Sequence, residues 1–223
     1  MKNKIGSRAL CIPMLLCAVA CSPSGTSGDG TGRFHADVWA DNWFSLSIGE
    51  KFIKEDSVSI TTERSFNKES FNFDADYPLV INFTIKDYKA NDTGLEYIGT
   101  DKQQMGDGAF ISQIRDTVTG KLISVSSPAW KCLVIHRAPL DTSCEKSTTP
   151  ATTCTSQITP EPSGWMAAGY DTGSWPSAVE YTAAAVGVKD GYNEVTWDST
   201  AKLVWSASLK QDNTLLCKTT VSQ

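Results

Sequence analysis

Two histidines, no Cys-x-x-Cys pair and no Gly-x-Ser-x-Gly segment occur in these 223 residues. Each absence removes a class of chemistry. A hydrolytic serine triad needs a base beside its nucleophile. His136 lies inside the apolar run Leu133-Val134-Ile135-His136-Arg137, and His35 is about a hundred positions away. Neither a triad nor a copper site built on both histidines is therefore expected. Without Cys-x-x-Cys spacing a zinc site is not expected either. There is no Lys/Arg-rich run, and the formal charge is −5, which argues against nucleic acid and against electrostatic docking on anionic lipid. No stretch reaches 18 uninterrupted apolar residues, so a membrane-spanning helix is not expected. No long 3.6-residue period appears, which removes a helical body. The 25 acids offer many pairs for glycoside hydrolysis, but nothing marks one of them. The expectation is a protein that is not an enzyme.

What is present begins with an address. Lys2, Lys4 and Arg8 precede an apolar run over residues 9–20 that ends in Ala18-Val19-Ala20-Cys21. A basic start, a short apolar middle and small residues before a cut site make a secretory signal, residues 1–20. The Cys21 context resembles the lipobox of bacterial lipoproteins, with Ala18 where that family usually has Leu. The resemblance implies acylation of Cys21 and cleavage before it; the bland alternative is an ordinary secretory signal. Ser22 resembles the residue that directs Gram-negative lipoproteins to the outer membrane. Removing the leader takes three of the 20 cations and none of the 25 acids, leaving 17 against 25, a balance of −8. Membrane contact would then come through the lipid anchor alone. Residues 21–32, which continue as SPSGTSGDGTG, hold too little apolar surface to order themselves and read as a tether. The domain is expected over 33–223.

Cys11 and Cys17 leave with the leader, and four cysteines remain beyond Cys21. In an exported chain an even remainder reads as two disulfides. Of three possible pairings, Cys132–Cys217 with Cys144–Cys154 is favoured. Cys132 and Cys217 sit in strand-like runs, whereas Cys144 and Cys154 flank a Thr/Ser/Pro loop. The longer bridge would contribute roughly 4 kcal/mol in the chain-entropy account.

Short apolar runs broken by Gly, Asn, Asp and Pro predict strands over 35–40, 43–48, 52–60, 70–74, 78–88, 109–115, 121–125, 129–136, 201–205 and 214–221. The clearest alternation puts Leu79, Ile81, Phe83 and Ile85 on one face and Asn82, Thr84 and Lys86 on the other. Val118-Thr119-Gly120-Lys121 reads as a tight turn with Gly120 at positive φ. Residues 183–186 are the one helix-tolerant patch, and 140–163 read as a long excursion closed by a disulfide. The fold class expected is all-β, an antiparallel β-sandwich or jelly roll.

Four segments in order resemble the galactose-binding-like jelly roll that accompanies glycoside hydrolases and carbohydrate esterases. They are Ala40-Asp41-Asn42-Trp43-Phe44 running to Gly49-Glu50; Gly120-Lys121-Leu122-Ile123 leading to Trp130-Lys131; Gly164-Trp165 with Tyr170-Asp171-Thr172-Gly173-Ser174-Trp175; and Ala201-Lys202-Leu203-Val204-Trp205 with Cys217-Lys218. Gly49-Glu50 replaces an Asn-Gly turn, and Thr172-Gly173 replaces an acid and its neighbour. The resemblance implies a carbohydrate-binding module. Large buried indoles explain Trp165, Trp175 and Trp205 as packing, and Asp171 as a turn residue, without a ligand.

Two sites are nominated from the residues. Tyr192 and Trp197, in a loop-like setting, form a stacking pair for a pyranose ring. Asp87, Asp92 and Glu96 offer oxygen ligands to a structural Ca²⁺; Asp37 and Asp41 are a weaker second choice. The functional expectation is a non-catalytic, surface-anchored lipoprotein module for glycan. The alternative is a structural envelope lipoprotein with no small ligand, and a glycan-active hydrolase stands third.

Overall fold

A computed structural model describes residues 31–62 and 64–223. The leader, Cys21 and most of the tether lie outside the described residues. The strands are β1 (Gly32–Asp41), β2 (Trp43–Ile48), β3 (Lys51–Glu55), β4 (Lys68–Ala75), β5 (Leu79–Lys86), β6 (Leu95–Glu96), β7 (Gln104–Met105), β8 (Ala109–Asp116), β9 (Leu122–Val125), β10 (Lys131–Arg137), β11 (Gln157–Ile158), β12 (Val179–Tyr181), β13 (Leu203–Trp205) and β14 (Asp212–Val221). One sheet runs β12-β13-β8-β1-β4, with β9 also on β8; the other runs β11-β10-β14-β5-β2-β3. The pairings are antiparallel throughout. The chain is an all-β sandwich, as its short alternating runs predict.

Period two builds the core. Leu79, Ile81, Phe83 and Ile85 of β5 meet Phe34, Ala36, Val38 and Ala40 of β1 across the gap, all at most 1% exposed. Trp130 stacks on Phe83 at 5.6 Å between ring centroids, and Trp205 lies in the same core. Both disulfides form as expected. Cys132–Cys217 joins register partners of β10 and β14, and Cys144–Cys154 closes the excursion. Gly120 takes φ +71° in its turn, where Asp116 Oδ1 accepts the amides of Val118 and Thr119.

One expected strand is shortened. The strand at 52–60 stops at Glu55, because Asp56 turns the chain by accepting Val58 N–H. Residues 183–186 do form a short helix, capped by Thr182, while 140–163 hold a fragment of strand, β11, beside β10. Not every tryptophan lies between the sheets. Trp39 follows Val38 and so points outward, under a cover that includes Val186 and Leu203. Trp165 and Trp175 pack on Leu216 with Leu133 and Ile135, on the outer side of the second sheet.

Candidate functional site

The outer face of the second sheet is built by register. Trp43, Lys86, Thr214, His136 and Ile158 form one row across β2, β5, β14, β10 and β11. Half of this face is roofed by residues 159–176. Lys218 fastens that roof: its Nζ, on a residue only 5% exposed, donates to Asn82 Oδ1 (3.2 Å), Trp165 O (3.0 Å) and Ala167 O (2.8 Å). All three ammonium donors are thereby used.

The unroofed half is a cavity of about 550 Å³. Thr84, Lys86, Thr214 and His136 line it from the sheet, with Tyr88 and Ile158 adding apolar surface and Glu161 a carboxylate. The Lys86 ammonium lies 4.7 Å from the Trp43 ring centroid and has no ion pair or hydrogen bond among the described residues. Burial pulls its pKa down, against the pull of the Glu161 charge. Glu161 is oriented by the Trp165 indole N–H. His136 is turned inward. Its Nδ1 pairs with Asn213 Oδ1 at 2.9 Å, and Nε2 sits 3.4 Å from Asp92 Oδ1, outside hydrogen-bond geometry. Burial, helped by the Lys89 charge, holds its pKa below the usual imidazole value, so it is neutral at pH 7. A second crevice, of about 440 Å³, lies beside Leu133, Val134 and Val179. Its Arg137 is already engaged by Asp212, so it offers no free charge.

The nominated pairs land elsewhere. Tyr192 and Trp197 are half-buried over the outer face of the first sheet. Tyr192 packs edge-on against Trp39 at 5.6 Å, and the Trp197 indole N–H donates to Tyr192 O. Their rings, 6.0 Å apart, cover Trp39, and neither lines the two cavities above. The Asp87, Asp92 and Glu96 trio is split. Asp92 is exposed and bound to Lys89 at 2.7 Å. Asp87 and Glu96 are buried, at 2% and 6% exposure, beside Asp41 and Asp107. Among the described residues no three His, Cys, Asp or Glu side chains converge closely enough to hold one ion. Asp37 stands apart, bonded to Gln113 and Ser70. His35, on β1, and His136, on β10, belong to different sheets.

Sequence reasoning missed Lys86, Trp43 and Glu161 as one site, and Asp41, Asp107 and Lys189 as another. Lys189 Nζ binds Asp41 Oδ2 at 2.9 Å and Asp107 Oδ1 at 3.2 Å. The only advance signal was Lys86 on the polar side of β5's alternation. No family model, no curated protein and no solved structure matches this chain.

Proposed function

We propose that this chain is an exported, lipid-tethered binding module that receives carbohydrate in the cavity on the outer face of the second sheet. The observation that carries the reading is the row Trp43–Lys86–Thr214–His136, in which the Lys86 ammonium, without an ion pair or hydrogen bond among the described residues, sits over the Trp43 ring and beside the Thr214 hydroxyl on one open face. Sugars are bound by that mixture: an apolar patch for ring C–H groups, and hydroxyls and charges for the oxygens. The galactose-binding-like segments support the same class. Residues Gly164-Trp165 and Tyr170 to Trp175 belong to the roof beside the cavity. A cysteine at position 21 behind an apolar run supports acylation and display at the outer membrane. Catalysis is not part of the reading, since neither ring nitrogen of His136 is hydrogen-bonded to a nucleophile among the described residues.

The test is a glycan array on the mature chain, followed by calorimetry on any hit with the Lys86→Met variant. Losing one charge-assisted hydrogen bond should weaken binding about tenfold or more. A silent array, or equal affinity in Lys86→Met, overturns the reading. A structural envelope lipoprotein is the second reading. It is favoured by the packing of Tyr192 and Trp197 onto Trp39, which leaves no exposed aromatic platform there.

A further inference from the structure

A second site lies where β1 and β5 end and the chain enters β8. Four acids gather there: Asp41, Asp87, Glu96 and Asp107. One ammonium answers them, Lys189, bound to Asp41 Oδ2 and Asp107 Oδ1. Both oxygens of Asp87 and Oδ1 of Asp41 remain, wholly buried and without a hydrogen-bond donor among the described residues. The Asn213 amide faces Asp87 but stands outside hydrogen-bond geometry, so its Nδ2 also lacks an acceptor. Backbone closes the other side: a Cβ on Gly106 would fall 2.0 Å from Asp87 Oδ2. A charged, buried carboxylate with neither donor nor counter-ion is strongly disfavoured. Two orphaned oxygens on one carboxylate suit a ligand that takes both.

We propose that Asp87 and Asp41 bind a divalent cation, of calcium's oxygen-seeking class. The donor set decides the class. The free atoms are carboxylate oxygens, and neither sulfur nor a free imidazole nitrogen is among them, which disfavours zinc. Only two carboxylates have oxygens to give, so backbone oxygens and water complete the shell. Calcium accepts six to eight such ligands in flexible geometry. With all four acids ionised, Lys189 leaves three negative charges, which a bound divalent ion would reduce to one. A site with so few carboxylates belongs with the weak extracellular modules, at a Kd of about 10⁻⁴–10⁻³ M. It keeps Asp87 from the trio named on sequence, discards Asp92, and brings in Asp41, 46 positions earlier.

The experiment uses the mature chain stripped with chelator and dialysed free of it. Calcium at about 5 mM should raise Tm by about 3–7 °C, and magnesium by less. Terbium should bind with emission sensitised by Trp205, whose ring packs against Gly108, two residues from Gly106. Asp87→Asn should abolish both the Tm rise and the emission. No Tm rise with calcium and no sensitised emission in the unaltered protein overturns the proposal, whether or not the variant folds. Equal responses from Asp87→Asn and the parent overturn it as well. Glycan binding enters none of these readouts.

Discussion

Single side chains carry most of the chemistry here, and Asp41 gives the sharpest test. Burial lifts its pKa to about 7, with Asp107 and Glu96 adding to the rise and Lys189 opposing it. Asp87 is lifted well above the usual carboxylate range too, by burial first and then by the Asp41 charge. Both acids therefore hold protons in the folded chain that the unfolded chain releases near pH 4. Their contribution to stability is full below pH 4 and is lost as the pH climbs toward 7 and beyond. In metal-free buffer, Tm should fall between pH 5 and 8, and Asp41→Asn should flatten that slope. A Tm independent of pH over this range would refute the assignment. Sequence could not reveal this nest. Lys189 lies 148 positions from Asp41, and only sheet order brings them together. Tyr192 and Trp197 misled for the converse reason. Their loop-like spacing was legible, but it says nothing about Trp39, the ring they shield.

At the level of elements, period two decided what was legible. β5 reads clearly because one face is fully buried and the other polar, so register fixes both the core and Lys86. The segments β6, β7 and β12, two or three residues long, give no period to detect. Packing was legible for Trp165 and Trp175, but not the outer side on which they pack, because a buried indole signals burial without naming the face. The disulfides act on elements of unequal reach. Removing Cys144–Cys154 by double serine substitution frees a separation of 10 residues and should cost about 3 kcal/mol. Removing Cys132–Cys217, which spans 85, should cost at least about 4 kcal/mol, since it also opens a hole in the core. Guanidinium unfolding of the two variants measures the order. A larger loss from the short bridge would mean that the excursion, not the β10–β14 pair, governs folding.

Across the whole molecule the two sheets play different parts. On the outer face of the first, Tyr192, Trp197 and the helix Ala183–Val186 cover Trp39, whereas the second keeps one half open beside its roof. The two proposed sites meet on one strand end. Lys86 lines the open half, and Asp87, the next residue, borders it while its buried carboxylate belongs to the acidic nest. Calcium at Asp87 should therefore steady Lys86, and glycan affinity measured with and without the ion should differ in that direction. Lys218 offers a way to watch the roof itself. With its three N–H groups spent on oxygens of the roof and of β5, this amine is shielded from acylating reagents while its surface neighbours react. Brief treatment with an amine-reactive label and peptide mapping should find Lys218 unmodified in the resting protein. The rate at which it becomes labelled then counts how often the roof lifts, making an ordinary lysine the molecule's own clock.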